Sequence, residues 1–209
     1  MTGRFVRLLV LLVAVWPAAA WAAPFDFYVL SLTWSPSYCE AEGGPRGDVQ
    51  CESGRRFGFL VHGLWPQHER GFPEDCPTDV APREADVRAL ADLMPARGLV
   101  RHEWRRHGAC SGLSPADYLR TIRAAREAVR IPAAFQRLDK YVMVSPAGVE
   151  AAFLAANPGL RPSGIAVTCD GRRLREVRIC LTRSLGFRAC EEVDRRGCRA
   201  DRVVLPPLR

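Results

Sequence analysis

The sequence is nearly without lysine: Lys140 is the one lysine among 30 lysine and arginine residues. It also has no Cys-x-x-Cys pair, which argues against the usual structural zinc sites. No internal repeat or low-complexity tract divides its 209 residues. No apolar run reaches the roughly 20 residues that a membrane-spanning helix needs. These features argue against a zinc finger, a repeat protein and an integral membrane protein.

The formal net charge is +7, and nearly all of the cations are arginine. A guanidinium group matches the geometry of a phosphate, and a basic secreted protein can bind polyanions. The excess of positive charge is modest, however, and a high arginine content can also follow from the base composition of the genome. Charge alone therefore leaves a nucleic-acid partner open.

Residues 1–22 are predicted to form a secretory signal peptide. A short basic start precedes an apolar run from Leu8 to Trp16, and small residues lead to a cleavage point after Ala22. Residues 23–209 then make one domain of ordinary size. We expect this domain to be secreted, to the periplasm or the medium, and to be monomeric and free of the membrane after cleavage.

The eight cysteines are even in number, and export would place them in an oxidising compartment, so they predict a disulfide framework. Eight cysteines allow 105 pairings, so spacing alone leaves the connectivity open.

Strand and helix patterns mix along the chain. Strand composition occurs in Phe25 to Trp34 and in Phe57 to Leu64, and two further runs flank Asp170-Gly171 as in a β-hairpin. We expect the second run to be a central strand that Trp65-Pro66 ends.

Helical patterns lie between the strand-like runs. Apolar residues recur at helical spacing from Val87 to Met94. Ser114-Pro115 is typical of a helix start, and that helix should reach about Arg130; Ser145-Pro146 should open another that closes near Asn157. Because the elements do not alternate as βαβ units, we predict an α+β fold: a central antiparallel sheet flanked by helices, in a single disulfide-linked domain.

The stretch HEWRRHGAC, from His102 to Cys110, concentrates ionisable groups. The histidines are five residues apart, whereas the metalloprotease pattern H-E-x-x-H needs four, so one metal ion is hard to share. At about 100° per residue, His102, Glu103, Arg106, His107 and Cys110 fall on one side of a helix. This side is either a proton-transfer site or a charged, solvated helix face.

A second histidine-bearing stretch, FLVHGLWPQ, places His62 after an apolar run. We expect His62 at the end of a buried strand, as a satisfied core histidine or as a catalytic group. The chain has only 4 histidines, and a pair of imidazoles suits general acid–base chemistry near neutral pH.

FLVHGLWPQ and HEWRRHGAC together resemble the two active-site segments of the ribonuclease T2 family, and FDFYVLSLTWSPSYC resembles its N-terminal strand. The resemblance implies a secreted endoribonuclease that needs no metal or other cofactor. Such an enzyme cleaves single-stranded RNA to 2′,3′-cyclic phosphate ends. It should spare DNA, which lacks the 2′-hydroxyl nucleophile.

The resemblance also implies roles for individual residues. His107 would be the general base and His62 the general acid. His102 would hold the phosphate, while Glu103 and Arg106 would stabilise the transition state. The family more often has lysine at the position of Arg106, and a guanidinium fork is not a point charge.

The remaining residues of the two segments have less specific roles. The resemblance implies that Trp65 stacks on a base, with Gln67 and Phe72 as further base-binding residues. His68 is expected to be a solvated loop residue. The family pattern implies the disulfide Cys76–Cys110 and the nested pair Cys169–Cys198 and Cys180–Cys190. Cys39–Cys51 is expected as a local bridge.

Two other functions stay open on the sequence. A non-catalytic RNA-binding module with this fold would bind RNA without cutting it. A zinc hydrolase would contain metal, although the histidine spacing argues against it.

Overall fold

The computed structural model describes residues 25–208. The predicted signal peptide, residues 1–22, therefore lies outside the described residues. Within the described part, no helix has the length and apolar character needed to cross a bilayer.

A four-stranded antiparallel sheet forms the centre of the molecule, with strand order β2-β1-β5-β4. Strands β3 and β6 pair separately as a two-stranded antiparallel sheet. The strands are β1 (Phe27–Trp34), β2 (Phe59–Gln67), β3 (Val142–Val144), β4 (Ile165–Cys169), β5 (Leu174–Leu181) and β6 (Val203–Leu205). The predicted hairpin across Asp170-Gly171 is the β4–β5 pair.

Short helices follow β1 and longer ones pack around the sheet. They are α1 (Ser35–Tyr38), α2 (Gly44–Arg46), α3 (Val49–Glu52), α4 (Glu84–Ala89), α5 (Arg97–Arg106), α6 (Pro115–Glu127), α7 (Pro146–Ala156) and α8 (Glu191–Arg195). A π-helical turn occupies Cys39–Gly43, and 3-10 turns occupy Gly108–Ser111, Ala133–Phe135 and Pro162–Gly164. The α+β prediction is confirmed.

Two of the predicted helix starts have the expected caps. The Ser114 hydroxyl accepts a hydrogen bond from the Asp117 backbone N–H, and the Ser145 hydroxyl accepts one from Gly148 N–H. Each cap satisfies a backbone donor that has no partner within its helix. The ends were less well predicted, since α4 stops at Ala89 and α6 at Glu127.

The predicted position of β2 was wrong in two respects. It is an edge strand rather than a central one, and it continues through Trp65-Pro66 to Gln67. An edge position explains the second difference, because proline lacks an N–H but an edge strand has one side without a ladder partner.

The main core lies between one face of the sheet and the helices. Leu30, Leu32 and Ile179 are fully buried there, with Trp104 of α5 and Ile122 of α6 in the same cluster. Burial of each such aliphatic side chain stabilises the fold by roughly 1.5–3 kcal/mol. The core therefore fixes α5 against the sheet.

Four disulfides cross-link the described residues: Cys39–Cys51, Cys76–Cys110, Cys169–Cys198 and Cys180–Cys190. This is the pairing expected from the sequence, in which the resemblance implied the last three bridges. Cys76–Cys110 spans 34 residues and joins the loop after β2 to the turn after α5.

Candidate active site

His62 lies at a β-bulge in the middle of β2, not at a strand end. Across the β1–β2 pair, Ser31 faces Gly63 and Leu32 faces Val61, so His62 is the extra residue without a partner. A bulge re-aims a side chain relative to the regular alternation of a strand. The imidazole reaches β5, where its Nδ1 lies 2.5 Å from Glu176 Oε1.

Glu103 of α5 is a buried carboxyl group under the site, with 1% of its surface exposed. Its Oε2 accepts a hydrogen bond of 2.7 Å from the Trp65 indole N–H. Its Oε1 lies 3.7 Å from His62 Nε2. Glu103 therefore faces two residues of β2.

Gly63 makes this arrangement possible because it has no side chain. A Cβ atom at position 63 would lie 2.0 Å from Glu103 Oε2 and 2.3 Å from Trp65 Nε1. Any larger residue would therefore displace the carboxylate or the indole.

His107 follows the last residue of α5 and has a non-helical backbone (φ −126°, ψ −47°). The prediction that one helical face carries the whole set was wrong for this reason: α5 ends at Arg106, and Cys110 lies in the next 3-10 turn. The His107 Nδ1 atom is buried and has no hydrogen-bond partner among the described residues. Most buried polar atoms in folded proteins have a hydrogen-bond partner, so this ring nitrogen is unusual.

Trp65 lies between the two imidazoles. Its ring centroid is 5.4 Å from that of His62 and 5.5 Å from that of His107. The two imidazoles are therefore no more than about 11 Å apart. Trp65 is half-buried rather than an exposed platform, and the Arg178 guanidinium lies 5.1 Å from its ring centroid.

The two histidines line different cavities, and Trp65 lines the one that contains His107. The Trp65 cavity, about 360 Å³, contains His107. Its walls are Phe27, Val29, Trp65, Gln67, His68, Gly71, Phe72, Glu74, Arg106, Arg178, Glu192, Val193 and Arg196. The His102 cavity, about 530 Å³, contains His62. It is also lined by Thr33, Tyr38, Glu42, Asp48, Gln50, Leu60, Val61, Ala96, Gly98, Leu99, His102, Arg175 and Glu176.

His102 and Arg106, two basic residues of HEWRRHGAC, line different cavities. His102 is exposed and lines the His102 cavity beside His62. Arg106 lines the other cavity and pairs with Glu74 at 2.6 Å and with Asp75 at 2.8 Å. Its charge is thus shared with two carboxylates.

The expected base-binding residues all line the Trp65 cavity. The Gln67 amide donates to the Pro66 carbonyl at 2.9 Å, and Phe72 is 43% exposed. His68 is exposed, as expected for a loop residue, and its Nδ1 lies 3.7 Å from Asp26.

Glu176 and Arg178 were not recognised in the sequence. The Arg178 Nε and Nη2 atoms donate to Glu176 Oε2 at 3.0 and 2.8 Å, while the other carboxylate oxygen contacts His62. Alternation along LREVRICL was the available signal, since it places both residues on the face opposite Val177 and Ile179.

The environment shifts the pKa values of the two histidines in opposite directions. Burial, together with the positive charges of Arg106, His102 and His62, lowers the pKa of His107 to about 4. Burial alone would also lower the pKa of His62. The hydrogen bond to Glu176 and the charges of Glu176 and Glu103 outweigh burial, and the pKa of His62 is raised.

The two carboxyl groups beside His62 also differ. Burial raises the pKa of Glu103 to about 7. Burial acts in the same direction on Glu176, but His62 and Arg178 dominate and lower the pKa of Glu176 to about 2. Between about pH 4 and pH 6.5 the site therefore combines a protonated His62, a neutral His107 and an ionised Glu176.

The part of the chain that the structure describes contains no cluster of three or more histidine, cysteine, aspartate or glutamate residues arranged to hold a metal ion.

Residues 25–190 match the family described as the Ribonuclease T2 family. The chain belongs to the ribonuclease T2 family. It is an endoribonuclease of that type.

Two bacterial relatives show the extent of the similarity. A ribonuclease of Aeromonas hydrophila is 36% identical over 189 residues, which cover 86% of this enzyme and 85% of the relative. Ribonuclease I of Escherichia coli is 28% identical over 201 residues, covering 75% of each chain.

Solved structures share the fold of the enzyme. An RNase-related protein from Calystegia sepium superposes with a TM-score of 0.70 at 19% identity, covering 88% of the enzyme and 98% of that chain. RNase NT in complex with 5′-AMP gives a TM-score of 0.57 at 20% identity, with coverages of 88% and 99%.

Proposed function

We propose that the enzyme cleaves single-stranded RNA by transphosphorylation and needs no metal ion. RNA supplies its own nucleophile, the 2′-hydroxyl group. Its oxygen forms a bond to phosphorus while the bond from phosphorus to the 5′-oxygen breaks, which leaves a 2′,3′-cyclic phosphate. The enzyme then has to take one proton, give one proton and stabilise charge on the phosphate.

His107 is the general base in this proposal and His62 the general acid. His107 accepts the 2′-hydroxyl proton, and His62 Nε2 gives its proton to the departing 5′-oxygen. The observation that carries the assignment is that both imidazoles pack against Trp65, within about 11 Å of each other. The opposite pKa shifts decide which ring is the base and which is the acid. A base has to be neutral before the reaction and an acid has to be protonated, and His107 and His62 are biased in these directions.

The positions of the cavities give the bound RNA a direction. The nucleoside with the attacking 2′-hydroxyl lies in the Trp65 cavity, beside His107, and the leaving nucleoside lies in the His102 cavity, beside His62. The scissile phosphate then sits beside Trp65, between the two imidazoles. A separation of at most about 11 Å between the imidazoles accommodates one phosphate with a hydrogen bond of about 2.8 Å on each side.

The phosphate contacts come from α5 and the turn after it. His102 is proposed to bind a phosphate oxygen from the His102 cavity. Glu103, with a pKa of about 7, is protonated in mildly acidic solution and can donate a hydrogen bond to the charged transition state. Arg106 contributes positive potential, which Glu74 and Asp75 reduce.

The Trp65 cavity is the proposed site for the base, with Trp65, Gln67 and Phe72 as its contacts. An aromatic wall binds bases through stacking and with little sequence preference. RNase NT, which shares the fold, has been solved with 5′-AMP. Stacking on Trp65 has to accommodate or displace the Arg178 guanidinium.

We also propose that the chain is exported and acts as a monomer in the periplasm or the medium. The basic and apolar start of residues 1–22 and the four disulfides suit an oxidising compartment. DNA should be spared, because the reaction uses the 2′-hydroxyl.

The test compares His62→Ala and His107→Ala on two dinucleotide substrates. On ordinary RNA each variant should lose about 10²- to 10⁴-fold in rate. In the second substrate sulfur replaces the bridging 5′-oxygen, and a thiolate leaves without a proton. His62→Ala should then recover most of the wild-type rate, whereas His107→Ala should not.

The exposed Glu127→Ala variant on α6 is the control, and it should stay within about threefold of the wild-type rate. Rescue of His107→Ala instead of His62→Ala would reverse the assigned roles. Full activity of both variants, RNA binding without cleavage, or loss of activity with a chelator and recovery with zinc would contradict the proposal.

A further inference from the structure

Glu176 reaches His62 from two strands away. It lies on β5, opposite Thr33 of β1, while His62 is the bulged residue of β2 on the other side of β1. The intervening strand has Ser31 opposite Gly63 and Arg178. Ser31 and Thr33 of β1 are small, so the imidazole and the carboxylate can meet above this strand.

The carboxylate is held at both oxygens. Oε1 contacts His62 Nδ1 at 2.5 Å, and Oε2 accepts two hydrogen bonds from Arg178. Glu176 is buried, with 8% of its surface exposed. A buried carboxylate with both oxygens engaged has little rotational freedom, so it fixes the ring that it contacts.

Several other charged or titratable groups surround His62: Glu103 and His102 from α5, His107 beyond Trp65, and, across the His102 cavity, Tyr38, Glu42, Asp48 and Arg175. Arg175 pairs with Glu42, and Tyr38 donates a hydrogen bond to Asp48. Of the carboxylates among them, Glu103 also faces the ring, but at 3.7 Å and from the Nε2 side. Glu176 is the one that hydrogen-bonds to Nδ1.

We propose that Glu176, clamped by Arg178, is a positioning residue that keeps a proton on His62 Nδ1 and directs Nε2 at the leaving group. This inference rests on the proposed role of His62 as the general acid. When Nε2 gives its proton to the 5′-oxygen, the proton on Nδ1 stays in the hydrogen bond to Glu176. The neutral ring therefore returns to one tautomer, and its free Nε2 takes up the next proton from solvent.

The experiment compares Glu176→Gln, Glu176→Asp and the control Glu150→Gln. Glu150 is a half-buried carboxylate that accepts a hydrogen bond of 3.0 Å from the Val167 N–H of β4, away from the histidines. Each variant is assayed with ordinary RNA dinucleotide and with the 5′-sulfur analogue over a range of pH. Thermal melting establishes that each variant is folded.

Glu176→Gln should cut the rate on ordinary RNA by about 10- to 100-fold, which is less than loss of the imidazole itself. On the 5′-sulfur substrate the loss should be under about threefold, because that leaving group needs no acid. The basic limb of the pH–rate profile should move to lower pH. Glu176→Asp retains the charge, and its rate on ordinary RNA should lie between those of wild type and Glu176→Gln. If the glutamine variant does not fold, the same comparison is made with Glu176→Asp.

Equal losses on both substrates, or a lower rate with an unmoved basic limb, would identify Glu176 as merely structural and overturn the inference. Unchanged activity of Glu176→Gln would do the same. A different result tests the proposed function: normal cleavage of ordinary RNA by His62→Ala would contradict it. A folded Glu150→Gln variant should match wild type on both substrates.

Discussion

Replacement of Glu103 by glutamine should make the enzyme more stable at high pH. The carboxyl group is buried, and among the described side chains only the Trp65 indole donates a hydrogen bond to it. Glutamine has nearly the same shape, and its carbonyl oxygen can accept the same hydrogen bond. The substitution therefore removes a buried negative charge with little change in packing.

The size of the effect follows from the pKa of Glu103, which burial raises from 4.5 to about 7. Because the folded-state pKa lies above the unfolded one, protonation favours the fold. This contribution is complete below about pH 4.5 and is lost as the pH rises through 7. Each tenfold change in proton affinity is worth about 1.4 kcal/mol, so the full loss is about 3 kcal/mol.

Denaturant unfolding with intact disulfides measures this difference. Wild type and Glu103→Gln should have similar unfolding free energies at about pH 4, and the variant should be more stable by about 3 kcal/mol at about pH 9. In thermal melting this corresponds to about 6–12 °C. The exposed residue Glu127 provides the control, and Glu127→Gln should show no such dependence on pH. A Glu103→Gln variant that is equally or less stable than wild type at high pH would refute the reasoning.

Three further predictions concern the same framework. Gly63→Ala should lower activity by about 100-fold and stability by about 1–3 kcal/mol, because its Cβ would lie 2.0 Å from the buried carboxylate; unchanged kinetics and melting would contradict this. The pH profile of kcat/KM should rise through about pH 4, as His107 loses its proton. It should fall only above pH 6.5, the usual histidine pKa, as His62 loses its proton. A fall that begins below pH 6.5 would be inconsistent with this prediction. Replacing Cys76 and Cys110 together by serine should reduce the free energy of unfolding by about 4 kcal/mol, since the disulfide closes a loop of 34 residues; an unchanged denaturation midpoint would argue against that.

The sequence predicts those parts of the fold that depend on nearby residues. The caps at Ser114 and Ser145 and the hairpin at Asp170-Gly171 are set by local turn chemistry, and all three are present. The fold class follows from the order of such elements. Helix ends were less accurate because they depend on packing as well as on propensity.

The site itself depends on contacts that spacing does not reveal. The bulge at His62 is a property of the register between β1 and β2, so β2 alone shows only an apolar strand with a histidine. The contact between His62 and Glu176 joins residues 114 positions apart. His107 leaves the helical face because α5 ends one residue earlier, and it lines the Trp65 cavity whereas His62 lines the His102 cavity.

Family resemblance supplied the histidines, but the electrostatic asymmetry between them required coordinates. Both rings are partly buried, and burial alone would make both neutral. The difference comes from partners: Glu176 bonds to His62, whereas His107 Nδ1 has no partner in the described part of the chain. Two like residues thereby acquire opposite protonation states.

Nuclear magnetic resonance titration of the imidazole nitrogens tests this asymmetry most directly. The chain has only 4 histidines, so single alanine variants can assign each signal. We expect the His107 ring to remain neutral down to about pH 4 and the His62 ring to stay protonated beyond the usual value of 6.5. A His62 ring that loses its proton at lower pH than His107 would contradict the account.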